Sequence, residues 1–170
     1  MEARVVSNAG PLMVLAKLNL LHLLQQLYGR VHFTHAVFDE VVQTGMRLGY
    51  QDAYTAQQFL RELNWEPAET FSFPHELATL PLDSGEKESI ALALQLKGLL
   101  LIDEDRGKRA ARQLGLDVRG TLGVLIEAYR RNFITDSQLR LYFHQVTTRS
   151  DIWISSSFAA ALLARVLKED

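Results

Sequence analysis

Hydrophobic and polar positions along the chain follow two alternating rhythms. One is the short unbroken apolar run; the other is a longer stretch in which apolar residues recur every three or four positions. The first predicts strands buried on both faces, and the second predicts amphipathic helices. Val5 and Val6 open as a short strand that ends in Asn8-Ala9-Gly10-Pro11, and Pro11 suits a first helical turn. Leu12, Leu15, Ala16, Leu20, Leu23, Leu24 and Leu27 predict one helix over 12–28, stopped by Gly29. Val31-His32-Phe33 predicts a second strand, and Thr34 a cap for a helix carrying Val37, Phe38, Glu40, Val41 and Val42. After a break over 45–49, a helix is expected over 52–63. Three prolines, Pro67, Pro74 and Pro81, make 66–81 a mostly irregular connection.

The rest of the chain is organised around Leu99-Leu100-Leu101-Ile102, an apolar run long enough for a central buried strand. A helix over 86–96 precedes it, opened by Asp83-Ser84-Gly85 and ended at Gly98. Asp103-Glu104-Asp105 ends the strand, and a helix over 107–114 follows. A short strand at 117–120, a helix capped by Thr121, another from Asp136 or Ser137, and a final amphipathic helix after Ser155 complete the pattern. Strands alternating with helices predict an α/β fold with a central parallel sheet of four or five strands, flanked by helices.

Composition narrows this only slightly. The chain has 170 residues, 48% hydrophobic and 22% charged, enough for one domain with a sizeable core. The expected division is a core at about 4–131 and a C-terminal helical extension at about 136–168. A net charge of −2 gives no global attraction to nucleic acid, so such binding needs a local basic patch. With no cysteine there are no disulfides or thiolate metal sites. The first 27 residues have neither the pattern of a signal peptide nor that of a membrane span, so a cytoplasmic location is expected. Neither a P-loop nor a G-x-G-x-x-G turn is present, which argues against a nucleotide-binding protein.

Candidate chemistry gathers where strands end. In open parallel sheets, ligand sites form beyond the C-terminal ends of the strands. Asn8 follows the first strand, Asp103 follows the central strand, and Glu86 and Glu88 start the helix before it, so all four can converge there. Glu40 can project toward them from its helix. Each also has an ordinary structural use: Asn8 as a turn residue, Glu40 on a solvated face, and the acids near Glu86 favouring a helix N-terminus. Asp103 is aimed at the sheet edge by its strand, whereas Glu104 and Asp105 are expected to be exposed. A dense carboxylate cluster requires a cation, and oxygen donors without cysteine or a histidine array select Mg²⁺ or Mn²⁺. Arg106, Lys108, Arg109 and Arg112 form a basic helix face able to meet phosphates.

In this order, VVSNAGPLMVLAKL, HAVFDEVV, LDSGEKESIALAL, LLLIDEDRGKRAA and VRGTLGVLIEA resemble the PIN domain, and more narrowly an uncharacterised predicted nucleic-acid-binding branch close to toxins of toxin–antitoxin pairs. The resemblance spans roughly 5–129. It implies a PIN-like three-layer sandwich and a metal-dependent ribonuclease acting on single-stranded RNA. The acids carried over are Glu40, Glu86 and Asp103 as catalytic residues. Asn8, Glu40, Glu86 or Glu88, and Asp103 are the metal set. From the basic helix face, and not from the resemblance, Arg106, Lys108 and Arg109 are the expected nucleic-acid contacts. The resemblance also implies RNA as partner, admits a small antitoxin protein and a homodimer, and gives no role to a membrane. Asn8 departs from the pattern, which has Asp there. An amide is a weaker ligand for a hard dication, so either metal binding is weak or the domain is a catalytically impaired RNA- or protein-binding module. Glu86 and Glu88, two residues apart on a helix, point in nearly opposite directions and cannot serve equally; Glu86 is favoured slightly.

Overall fold

Each rhythm of the sequence folds as its period requires, around three short parallel strands. The computed structural model describes residues 4–168. In chain order the elements are β1 (Val5–Ser7), α1 (Ala9–Lys17), α2 (His22–Tyr28), α3 (His35–Phe38), a π-helical turn (Asp39–Thr44), α4 (Gly45–Arg47) and α5 (Gln51–Glu62). There follow α6 (His75–Ala78), α7 (Ser84–Leu96), β2 (Leu99–Leu101), α8 (Asp105–Gln113), β3 (Val118–Arg119), α9 (Thr121–Arg130), α10 (Asp136–Thr148) and α11 (Ser156–Lys168).

The sheet order is β1-β2-β3, with Val5 opposite Leu99, Val6 opposite Leu100 and Leu100 opposite Val118. Successive strand residues face opposite ways, and the core divides accordingly. Val5 and Leu101 join a cluster with Leu12 and Leu15 of α1, Leu24 of α2 and Leu125 of α9. Val6, Leu100 and Ile102 join another with Ile90 and Ala93 of α7 and Ala111 of α8. Helices therefore cover both faces of the sheet. Val5, Val6, Leu100, Leu101 and Ile102 are all fully buried, each contributing about 1.5–3 kcal/mol by leaving water. That burial fixes the strand ends, and with them Asn8 and Asp103. α10 and α11 bury Leu139, Phe143, Val146, Ala159 and Val166 in the same cluster as β1 and α9.

The strand count is smaller than expected. Val31-His32-Phe33 contributes one parallel bridge, Val6 with His32, and Thr34 bridges to Ala68 beyond it. Ser7 N–H donates to His32 C=O and His32 N–H to Val5 C=O, both at 2.8 Å. Pairing stops there because Thr34 turns the chain into α3, its Oγ1 accepting from Val37 N–H at 3.3 Å.

The helix expected over 12–28 is two helices. Asn19 takes a left-handed conformation at φ 58°, and Leu20 N–H donates back to Leu15 C=O at 2.7 Å. This is the geometry of a helix stop, which Asn tolerates. The leucine spacing carries across it because both helices bury the same face. The break expected over 45–49 is also shorter, since the chain stays helical through Arg47. α8 begins at Asp105 rather than 107. Gly98 does not end α7; Lys97 does, at φ 52°. Gly98 is needed for proximity instead, because a Cβ there would lie 2.4 Å from Arg4 O. Among the described residues no helix is long and apolar enough to cross a membrane.

Candidate functional site

Six side chains, those of Asn8, Glu40, Asp83, Glu86, Asp103 and Glu104, meet at the C-terminal edge of the sheet, each brought there by a local rule. Asn8 directly follows β1; its N–H donates to Leu101 C=O at 2.8 Å, extending the ladder by one rung. Asp103 and Glu104 follow the buried Ile102. Glu86 is the third residue of α7 in a reciprocal capping box: Asp83 Oδ1 accepts from Glu86 N–H at 2.8 Å and Asp83 N–H donates to Glu86 Oε2 at 3.0 Å. Glu40 sits on the π-helical turn, where one extra residue resets the phase of the helix.

The geometry centres on Asn8, which is buried. Its amide oxygen accepts from Ser89 Oγ–H at 3.2 Å, and its amide N–H donates to Glu104 Oε2 at 3.2 Å. Around Gly85, the position a Cβ would take lies 3.4 Å from Asp83 Oδ1, 3.5 Å from Glu40 Oε2 and 3.8 Å from Asn8 Oδ1. The corresponding position at Gly10 is 3.4 Å from both Asp103 Oδ2 and Glu104 Oε1. At Gly107 it is 3.2 Å from Glu86 Oε1. Three glycines thus leave room for the carboxylates to gather.

Asp103 is held by α9. Thr121 N–H donates to Asp103 Oδ1 and Thr121 Oγ–H to Oδ2, both at 2.7 Å. Thr121 was expected to cap this helix, but Gly120 occupies the cap position and has no side chain to offer. The Asp103 carboxylate supplies the missing acceptor from a different element. The position of a Cβ on Gly120 would be 3.0 Å from Asp103 Oδ1 and 3.1 Å from Lys108 Nζ, so the lysine approaches this acid.

Electrostatically the cleft is short of positive charge. Desolvation, and then the negative charges of Asp83, Glu104 and Glu86, raise the Glu40 pKa above the ordinary carboxylate value. Desolvation also raises that of Glu86; the Asp83 N–H bond opposes the rise, while the charges of Asp83 and Glu104 add to it. Such a cluster is relieved by a proton or a cation. Its donors are all oxygens, which suits a hard dication. Among the described residues, no group of three or more His, Asp or Glu side chains stands close enough together to hold a metal ion.

Of the candidates named from sequence, Asn8, Glu40, Glu86 and Asp103 lie at this edge. Glu88 is half-buried and makes no hydrogen bond to the cleft among the described residues. The basic residues of α8 divide between two faces. Lys108 lines a cavity bordering Asp103, with Arg112. Arg106 and Arg109 line a separate depression with Leu80, Pro81 and Leu82. Two members escaped sequence reading. Glu104 is solvent-exposed, as expected, yet turns toward Asn8. Asp83 was read as helix-start chemistry only, although the spacing D-x-x-E signals that it stays beside Glu86.

A protein-family model described as a PIN domain matches residues 4–168. No curated protein and no solved structure gives a match.

Proposed function

The chain belongs to the PIN-domain family, a nuclease-type fold, and on that premise we propose that residues 4–168 are one domain that hydrolyses phosphodiesters of single-stranded RNA at the acidic cleft. One observation carries this reading: Glu40, Glu86 and Glu104 gather near the buried Asn8, where desolvation first, and then neighbouring carboxylate charge, raise the Glu40 and Glu86 pKa values. Carboxylates held in mutual repulsion are a poor way to stabilise a fold and a good way to attract a cation. Glu40, Glu86, Glu104 and Asp103, with the Asn8 amide oxygen, would hold Mg²⁺ or Mn²⁺ only by drawing together, since as they stand no three of the acids among the described residues are close enough to do so. Such an ion supplies an activated water and charge stabilisation at phosphorus.

The protein's own residues do the rest. The capping box keeps Glu86 pointing into the cleft, and Thr121 fixes the direction of the Asp103 carboxylate. Ser89 and Glu104 between them orient the Asn8 amide. Lys108, beside Asp103, is the cation best located to meet a phosphate. The cytoplasm, where RNA is found, is the proposed location, and toxin activity controlled by a small antitoxin is the proposed biological setting.

The test is cleavage of a labelled single-stranded RNA with Mn²⁺ titrated in. Wild type should cleave, and Glu40→Gln and Glu86→Gln should be slower by roughly 10- to 100-fold. Retained activity in both variants would end the proposal. A second reading, a PIN module that binds RNA or protein without cleaving, rests on the Asn8 amide N–H, which donates a hydrogen bond to the Glu104 carboxylate where an acid would repel it. RNA binding in EDTA with no cleavage at any Mn²⁺ concentration would favour that reading.

A further inference from the structure

A cavity of about 580 Å³ borders the acidic cleft, between α8, the β3–α9 connection and the turn leading into α11. Its lining includes the acids Asp103 and Asp105, the cations Lys108 and Arg112, and the apolar side chains of Trp153, Phe158 and Leu162. Trp153 is 93% exposed and Phe158 55% exposed. A tryptophan this open contributes little to the core, so its placement calls for another account. Neither Lys108 nor Arg112 makes an ion pair among the described residues. Arg119, also on the wall, is already engaged, donating to the Tyr28 hydroxyl at 3.0 Å.

We infer that this cavity is a stacking subsite in which Trp153 receives an unpaired base of the nucleic acid bound at the acidic cleft, while Lys108 and Arg112 meet its phosphates. The inference rests on the nuclease reading above and specifies how the substrate is held. Three features agree on this occupant. The volume falls in the range of pockets that enclose a ligand of nucleotide size. An aromatic face beside free cations is the combination by which proteins grip single strands, stacking on bases of any sequence while charge tracks the backbone. Asp103 belongs to both the cavity and the cleft, so a strand anchored on Trp153 passes directly to the carboxylates. A duplex cannot use the site, because its bases are already stacked on one another.

The chain contains two tryptophans, and Trp65 is buried, so quenching of emission by an added oligonucleotide reports on Trp153. The experiment titrates a single-stranded oligoribonucleotide into the protein in EDTA, where no cleavage competes. Wild-type emission should be quenched. Trp153→Ala should bind roughly tenfold more weakly and Trp153→Phe nearly as wild type, since one aromatic ring replaces another. The double variant Lys108→Ala/Arg112→Ala should lower the slope of log affinity against log salt by about 1.4.

Wild-type binding with unchanged emission, and equal binding by Trp153→Ala, would overturn the stacking subsite while leaving the nuclease reading intact. No wild-type binding of any single strand would overturn both. Equal affinity for duplex and single strand would also overturn the subsite. So would concentration-dependent dimerisation, seen by light scattering and abolished in Trp153→Ala, because the cavity would then be an interface between copies.

Discussion

Replacing Asn8 by Asp tests what the amide does in a cluster of acids. In wild type the amide N–H donates to Glu104 Oε2 at 3.2 Å. Asn8→Asp removes that donor and sets two carboxylates against each other. A hydrogen bond to a charged acceptor contributes about 1.5–3 kcal/mol. Two like charges 4 Å apart repel by about 1 kcal/mol in bulk water and about 4 kcal/mol near a protein surface. Glu104 is solvent-exposed, so the lower part of each range applies, and the combined loss without metal is about 3 kcal/mol. For a chain of this length that lowers Tm by about 6–12 °C. Divalent ion should reverse the sign, because the added carboxylate becomes an anionic ligand. The assay is thermal melting of both proteins at neutral pH, in EDTA and in excess Mn²⁺. Asn8→Asp should melt lower than wild type in EDTA, gain more from Mn²⁺, and cleave RNA faster when loaded. Two proteins with the same EDTA melting temperature and the same response to Mn²⁺ would refute the reasoning, since position 8 would then face neither Glu104 nor an ion.

Three other predictions concern the neighbouring residues. Glu40 has a raised pKa, so its protonated form is favoured by folding; the associated stability is complete below the unfolded value and is lost as pH rises through the folded one. In EDTA, wild type should therefore lose stability from about pH 4.5 upward, and Glu40→Gln should flatten that slope and melt higher at neutral pH; a steeper or unchanged slope would contradict this. Glu86→Gln should reduce RNA cleavage roughly 10- to 100-fold while Glu88→Gln leaves it near wild type, and the reverse order, measured under single-turnover conditions, would transfer the role to Glu88. Thr121→Val deletes the hydroxyl donor to Asp103 and should cost about 1–2 kcal/mol in urea unfolding, with a matching fall in Mn²⁺ affinity if Asp103 direction matters to the ion.

Much of the architecture is written locally and some is not. Leu99-Leu100-Leu101-Ile102 is legible as a buried strand because an unbroken apolar run has few other uses. Asp83 and Glu86 show where α7 starts because a capping box is a four-residue device. Val31-His32-Phe33 was counted as a strand but makes a single parallel bridge, since local propensity does not reveal how soon a cap ends the pairing. Asn19 hid inside a regular leucine pattern because two consecutive helices bury one face. At the site, strand-end logic was enough to name Asn8, Glu40, Glu86 and Asp103 as candidates. It missed Glu104, whose direction depends on an amide 96 positions away. It also gave no hint of the cavity at Trp153, which exists only once α8 and the α11 turn stand side by side. The basic residues of α8 read as one patch in a line of text, but Lys108 and Arg106 face different depressions on the folded surface.

The ordering of the cleft along the chain has a consequence during synthesis. Asn8 and Glu40 emerge early, while Glu86, Asp103, Glu104 and Thr121 follow only after a long intervening segment. Apart from the single bridge to His32, β1 has no partner strand until β2 has been made, because Val5 pairs with Leu99. Closing a loop of that length is slow compared with forming local helices. A nascent or truncated chain that ends before 99 carries half of the acids and no sheet edge on which to assemble them. If the cleft cuts RNA, that ability arrives all at once, late, and only in molecules that have completed the strand pairing, so unfinished copies on the ribosome are harmless to the messages around them.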